Sequence, residues 1–305
     1  MITAKSAWMD GKLVPFETCN VHVTAFGLHY GLGVFEGIRA YKRDTGQTGV
    51  FRLREHILRL FHSAAACTLE IPYGPEVLEL ACLEVLRAND LEEAYLRPLV
   101  FAGAGSLGLG AVGNPVSTVV FAWPWQTPLG KSGQATGVRA QVSSFVRGHP
   151  NSLMTKAKVT GQYAQSVIAK REASRLGFDE AILLDAGGCV AEGTAQNVFA
   201  VFGGQLVTPP AHAPILPGIT RDAVITLARH LGLSVVEQPF TRDALYQADE
   251  TFFTGTAVEI TPVREVDGRP LGAGQPGPIT RRLQAAFEET VRGPGMPWPA
   301  WITPV

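Results

Sequence analysis

From Pro98 to Gly130 the chain carries no charged side chain. That stretch is long enough for a membrane-spanning helix. However, Gly103, Gly105, Gly108, Gly110, Gly113, Asn114 and Pro115 fall in its middle, and glycine and proline are poor residues for a helix interior. Two buried strands joined by a glycine-rich loop fit better: YLRPLVF at 95–101 and VSTVVFAW at 116–123. Strands this apolar need a large covered sheet. The 305 residues, 46% of them hydrophobic, can provide one, in one large domain or two medium ones. A charged fraction of 17% with a net charge of −1 excludes a disordered chain. It also lacks the basic excess usual in nucleic-acid binders, so neither a nucleic-acid nor a membrane partner is expected.

Around those strands, helical and extended patterns interleave. Ile57, Leu60, Phe61, Ala64 and Cys67 recur at helical spacing over 55–68, with Arg59 off the stripe. Pro75 opens a second helix that Asn89 can close. Thr160 is expected to cap a helix reaching Gly177, Thr220 one reaching Gly232, and a last helix runs over 278–292. Short strands lie between, with Gly203-Gly204 as a hairpin turn. This irregular order predicts an α+β fold with a mixed sheet. The expected division is a small α/β domain at 1–125, a linker at 126–134 (QTPLGKSGQ) and a large α/β domain at 135–305. The opening MITAKSAWMDGKL has no apolar core, so no signal peptide is read. Cys19, Cys67, Cys82 and Cys189 form no C-x-x-C pair and read as reduced thiols of a cytoplasmic protein.

Several common motifs fail. Gly103-x-Gly105-x-x-Gly108 follows a strand, but a second strand follows it instead of a helix, and no acid lies about 20 residues on to hold a ribose. Gly130-Lys131-Ser132 resembles the end of a phosphate loop, with Trp125 where its first glycine belongs. No H-E-x-x-H and no G-x-S-x-G occurs, which removes support for zinc and serine hydrolases and for a metal site. One charge pattern stands out. No Asp or Glu occurs between Ala94 and Arg171, while Arg97, Lys131, Arg139, Arg147, Lys156, Lys158 and Lys170 do. This reads either as a solvated basic face or as a cleft for small anions. Lysines are few, and Lys158 precedes a helix start. The positive end of a helix and partial burial both favour a neutral amine, which a Schiff-base lysine needs.

Seven strings in order carry a resemblance: LHYGLGVFEGIRAY (28–41), FRLREHILRL (51–60), YLRPLVF (95–101), NSLMTKAKVTGQY (151–163), EGTAQNVF (192–199), LPGITRD (216–222) and FFTGTAVEITPV (252–263). Through them the sequence resembles the class IV pyridoxal-phosphate aminotransferases, and within them the branched-chain amino-acid aminotransferases. The resemblance implies the D-amino-acid aminotransferase-like fold (fold type IV), two domains with pyridoxal 5'-phosphate at their interface, and a homodimer or higher homo-oligomer. The implied substrates are amino acids and 2-oxo acids. The implied activity is reversible amino transfer between Leu, Ile or Val and 2-oxoglutarate. D-amino-acid aminotransferase, R-selective amine transaminase and aminodeoxychorismate lyase share the fold, and a non-catalytic relative is the alternative of another class. Y-x-R-P at 95–98 favours the branched-chain group.

By the same resemblance Lys158 is the Schiff-base lysine and proton carrier, and Tyr163 bonds the cofactor's phenolic oxygen. Glu192 faces the pyridine nitrogen and keeps it protonated. Arg59, the N–H groups of Ile219 and Thr220 at a helix start, and Thr256 hold the phosphate. Tyr95, with the N–H groups of Thr256 and Ala257, takes the α-carboxylate. Arg97 takes the side-chain carboxylate of glutamate. Phe35, Gly37, Tyr30 and Trp125 form the apolar wall, Tyr30 at its edge and a candidate contribution from a partner subunit. Lys156, two residues before Lys158, reads as a surface side chain. After Glu192 the family's Gly-rich stretch with a second Glu before Asn is replaced by Thr194-Ala195-Gln196, which leaves the supporting hydrogen bonds open.

Overall fold

The computed structural model describes residues 4–125, 130–294 and 297–305. They form two compact units. Unit one comprises residues 1–125, 157–163 and 290–305, and unit two comprises 126–156 and 164–289.

Unit one is built on an antiparallel sheet. At its centre the strands Ala94–Ala102 and Val116–Pro124 pair along their full length, Ala94 opposite Pro124 and Ala102 opposite Val116. These are the two largely apolar strands expected from the sequence, and the glycine-rich segment joins them. Helices Leu53–Ala66 and Pro75–Ala88 cover the sheet, the first with the apolar stripe read from periodicity and the second with Leu78, Ala81, Cys82, Val85 and Leu86. Ile57, Leu60, Leu78, Val85 and Leu86 are fully buried there with Ile38, Leu96 and Val120.

Two segments of the expected large domain belong to unit one instead, for local reasons. Val159 bridges Val34 in antiparallel fashion. The strand Ile302–Pro304 pairs with Thr48–Phe51. Neither pairing has a periodic signature, because each satisfies backbone groups across a long sequence separation.

Unit two holds a mixed sheet that closes on itself. Six strands run in the order Val190–Gly193, Glu180–Leu184, Val138–Val146, Glu259–Val266, Glu250–Gly255, Asn197–Phe202, and the last pairs back to the first through Glu192 and Asn197. Closure removes the edges of these strands and puts Glu192 at the seam. Gly203 and Gly204 take left-handed φ of +53° and +83° and make the expected hairpin turn.

Three helix starts differ from the sequence reading. Thr160 does not cap its helix: it opens a 3-10 turn over Thr160–Gln162, its Oγ1 donates to the carbonyls of Gly31 and Gly33 at 2.9 and 3.2 Å, and the α-helix runs over Tyr163–Arg175. The helix expected to begin at Thr220 begins at Ile219, with extended Gly218 as its N-cap and Thr220 buried inside the first turn. The expected linker is helical over Gly130–Thr136, while 126–129 lie outside the described residues. This glycine-containing segment is tied down because the Gln134 carbonyl accepts from Gln284 Nε2 at 3.0 Å and the Gln134 side-chain amide donates to Glu259 at 3.1 Å. Among the described residues no helix is long and apolar enough to cross a membrane.

Candidate active site

In unit one, Lys158 is positioned by an extended segment laid beside Gly33–Phe35. The Phe35 N–H donates to the Lys158 carbonyl at 3.1 Å, and the Lys158 N–H donates to Ser63 Oγ at 3.0 Å. Gly31 permits this seating: its φ is +66°, and a Cβ there would stand 2.6 Å from the Gly161 Cα. Lys158 Nζ then donates to the Tyr163 hydroxyl at 2.5 Å. The Phe35 ring centroid lies 4.8 Å from the Tyr163 ring and 4.9 Å from Nζ. The lysine and tyrosine matched from sequence are thus a directly bonded pair against an aromatic face.

Tyr95 and Arg97 alternate on Ala94–Ala102 and share one face. The Arg97 guanidinium carbon lies 4.8 Å from the Phe35 centroid and 5.6 and 5.8 Å from those of Tyr95 and Trp123. Its Nε is buried with no hydrogen-bond partner among the described residues. Tyr95 stacks on Trp125 at 4.6 Å. A Cβ on Gly37 would fall 1.8 Å from the Tyr95 hydroxyl oxygen, so only glycine lets that phenol occupy its place. Phe35, Gly37, Tyr95, Arg97 and Trp125 are therefore gathered together. Tyr30 is placed differently: it is 45% exposed, packs on Phe26 and donates to the Leu107 carbonyl at 2.5 Å.

Arg59 is not the loose charge suggested by its place off the apolar stripe. Its side chain is 12% exposed, and it grips the fully buried Glu36 with Nε at 2.6 Å and an Nη at 2.8 Å. His56 Nδ1 lies 2.7 Å from the same carboxylate. Burial pushes the His56 pKa down, against the pull of Glu36, so a neutral ring donating from Nδ1 fits. Burial alone would raise Glu36, but the Arg59 guanidinium and His56 outweigh it and hold its carboxyl well below the usual range. Sequence reasoning missed Glu36 and His56. The available signal was a carboxylate inside the apolar run GVFEGI, since a buried charge requires a partner.

In unit two, Glu192 is buried. Arg147 Nε lies 2.6 Å from its Oε1. Its Oε2 accepts from the Leu216 N–H at 2.9 Å and Asn197 Nδ2 at 3.4 Å. Thr194 and Gln196, the departures from the family stretch, bond a different acid: Thr194 Oγ1 donates to Glu180 at 2.7 Å and Gln196 Nε2 at 2.9 Å. At the start of the helix Ile219–His230, the N-cap Gly218 supplies no side chain, leaving the first-turn N–H groups to an outside acceptor. Thr256 and Ala257 sit half-buried in the turn closed by Val258 N–H donating to the Gly255 carbonyl.

The acid-free stretch is not a solvated basic face. Arg139 pairs with Glu265, Arg147 with Glu192 and Lys170 with Glu180. Lys156 is exposed, as read from the sequence, but its amine is engaged: Nζ donates to the carbonyls of Ala213 and, at 3.0 Å, Ile215. Burial lowers its pKa, and Arg221 and Arg147 add to the effect against Glu192.

These donor sets fit pyridoxal 5'-phosphate, which requires an amine for its aldehyde, an acceptor for its ring nitrogen and cationic or N–H donors for its phosphate. Lys158 beside Tyr163, Glu192 held by a guanidinium and two N–H donors, and the side-chain-free helix start at Gly218 supply these features. Residues 33–266 match the amino-transferase class IV family. The chain belongs to that family. This class IV chain is 45% identical to a branched-chain-amino-acid aminotransferase of Pseudomonas aeruginosa, over 97% of its own length and 96% of the relative's. Its fold superposes on the branched-chain amino acid aminotransferase of Escherichia coli with a TM-score of 0.96 at 43% identity, covering 98% and 99% of the two chains. The T.th. enzyme of the same name, solved with N-(5'-phosphopyridoxyl)-L-glutamate, gives a TM-score of 0.93 at 43% identity with 99% of each chain covered.

Proposed function

We propose that this class IV aminotransferase carries pyridoxal 5'-phosphate and reversibly transfers the amino group between branched-chain L-amino acids (leucine, isoleucine, valine) and 2-oxoglutarate. Its products are the branched-chain 2-oxo acids and L-glutamate. The observation that carries this reading is Arg97: a guanidinium whose buried Nε has no hydrogen-bond partner among the described residues, set among the rings of Phe35, Tyr95 and Trp123. Such a lining accepts an aliphatic side chain against its rings and a carboxylate on its cation. The two alternating substrates of this reaction differ in that respect. The relatives named above, and the glutamate adduct in one of them, support the same choice.

Bound pyridoxal phosphate supplies the electron sink that lets the substrate Cα–H bond ionise. The chain's own groups do the rest. Lys158 Nζ holds and moves the proton at Cα, and the Tyr163 hydroxyl 2.5 Å away orients the amine. Glu192 accepts from the ring nitrogen. The Ile219 and Thr220 N–H groups, Thr256 and Arg59 bind the phosphate. Tyr95, with the Thr256 and Ala257 N–H groups, binds the α-carboxylate, and Phe35, Gly37, Trp125 and Tyr30 bound the side-chain space. A cytoplasmic homo-oligomer completes the proposal. Exposed Val23, Leu28, Leu109 and Val112 in unit one, 67%, 66%, 82% and 91% accessible, suit a subunit contact.

The test measures the two half-reactions separately, with both enantiomers of each amino donor. Removing a hydrogen-bonded charge costs about 1.5–3 kcal/mol, so Arg97→Ala lowers kcat/KM for glutamate about ten- to a hundredfold and largely spares leucine. Equal losses for the two would give Arg97 the α-carboxylate or a purely structural part. Activity with D-alanine and none with L-leucine would end the branched-chain reading.

A further inference from the structure

The acid-free stretch at 94–171 holds one cation whose partner is the site carboxylate itself. Arg147 follows directly on the strand Val138–Val146 and is 8% exposed, and its N–H donates to the Leu184 carbonyl at 2.7 Å. Next to Leu184, Leu183 stands opposite Glu192 in the neighbouring strand pair. This fixed backbone delivers Nε to 2.6 Å from Glu192 Oε1, with the two side chains 10% and 8% exposed. The contact is an ion pair rather than an in-line hydrogen bond from Nε. Oε2 is held from the other side by Leu216 N–H and Asn197 Nδ2. Asn197 faces Glu192 across the strand pair that closes the barrel.

We propose that Arg147 is a positioning residue for the pyridine-facing carboxylate, and that its charge keeps the shared proton on the cofactor's ring nitrogen. The inference rests on Glu192 being that carboxylate. In a site shielded from water, a carboxylate and a pyridine can share their proton in two ways: as carboxylate with pyridinium, or as carboxylic acid with neutral pyridine. Low effective dielectric favours the neutral pair. A guanidinium on the carboxylate's other oxygen favours the charged form of the acid, so the proton stays on nitrogen. The guanidinium and the two N–H donors also set the plane of the carboxylate.

The test reads the nitrogen directly. Apoprotein is reconstituted with pyridine-15N-labelled pyridoxal 5'-phosphate, and the ring-nitrogen resonance is recorded for wild type, Arg147→Gln, Arg147→Met and Arg147→Lys. The wild-type resonance is expected at the pyridinium position and those of the two neutral variants shifted towards the free base. Arg147→Lys, which keeps the charge without the planar fork, is expected in between. Cofactor affinity is expected to change little, because the phosphate donors are untouched. The half-reaction with leucine slows about ten- to a hundredfold in the neutral variants. A ring nitrogen that stays protonated in a folded neutral variant overturns the inference. So does a lysine variant as deprotonated as the neutral ones. If neither neutral variant folds, a free-base nitrogen in Arg147→Lys overturns it and a retained pyridinium supports it. A free-base nitrogen in wild type instead refutes the role given to Glu192, which separates the two failures.

Discussion

Glu36, His56 and Arg59 form a buried ion cluster that makes the stability of unit one depend on pH. His56 has its pKa lowered on folding. The unfolded chain therefore takes up the proton first as pH falls. The contribution of His56 is complete above its ordinary value, about 6.5, and declines below it. Glu36 is likewise held below the carboxylate range, so its contribution survives to lower pH and is lost only in stronger acid. His56→Gln keeps an N–H donor for Glu36 and removes the proton uptake. The melting temperature of wild type is expected to fall between pH 7 and 5 more steeply than that of His56→Gln, as measured by calorimetry in matched buffers. Parallel curves would assign the slope to other histidines. Arg59→Ala is a harsher change. It strands a fully buried carboxylate, and breaking a buried pair costs about 3–5 kcal/mol. Lower stability of the apoprotein, before any cofactor is added, is the expected sign that Arg59 holds the fold beyond its proposed phosphate role.

Elements show the same division between local and distant causes. The helix Pro278–Arg292 was legible from its own residues: Pro278 suits the first turn, and the periodic pattern runs to Arg292. Its cap was not. Glu250, on the strand Glu250–Gly255, accepts from the Ile279 N–H at 3.0 Å, the Thr280 N–H at 2.7 Å and Thr280 Oγ1 at 2.6 Å. A carboxylate at the positive end of a helix is stabilising. Glu250→Gln keeps the size and loses the charge, so a loss of about 1–2 kcal/mol is expected in denaturant unfolding. An unchanged midpoint would place the helix's stability in its apolar face alone. The helix at Gly130–Thr136 failed to show in the sequence for the same reason: its support comes from Gln284 and Glu259, and Gly130 and Gly133 weaken its own signal. The shift of a helix start from Thr220 to Ile219 is a finer case. Thr220 is a good cap by type, yet it is buried in the first turn, and the N-cap place falls to Gly218, which has no side chain to cap with. Lys158 and Tyr163 were legible as candidate site residues because both lie within one short string, but their direct bond was not. The grip of Glu36 on Arg59 and of Arg147 on Glu192 was not, because sequence spacing says nothing about which buried charges meet.

At the scale of the whole molecule, the chain leaves unit one after Trp125, re-enters it over 157–163 to deliver Lys158, and returns at 290. The last return ends in Ile302–Pro304, which lies antiparallel on Thr48–Phe51 at the end of the sheet order. Trp301 anchors it: its ring lies 5.9 Å from Phe51, 4.8 Å from the Arg52 guanidinium carbon and 4.7 Å from Trp298. Deleting residues 298–305 removes that strand and its aromatic cover. It leaves Thr48–Phe51 with unpaired backbone groups and exposes the Phe51 ring. Exposed strand edges recruit other chains, so the truncated protein is expected to aggregate more readily. Unit two has its own closed sheet and its own core, so the damage should be confined. Hydrogen exchange read by mass spectrometry is expected to show faster exchange over 38–51 and the adjoining helix Leu53–Ala66. Protection over 180–202 and 250–266 should stay unchanged. Loss of protection in both sets together would mean that the two units unfold as one cooperative body, with the returning strand part of a shared stability.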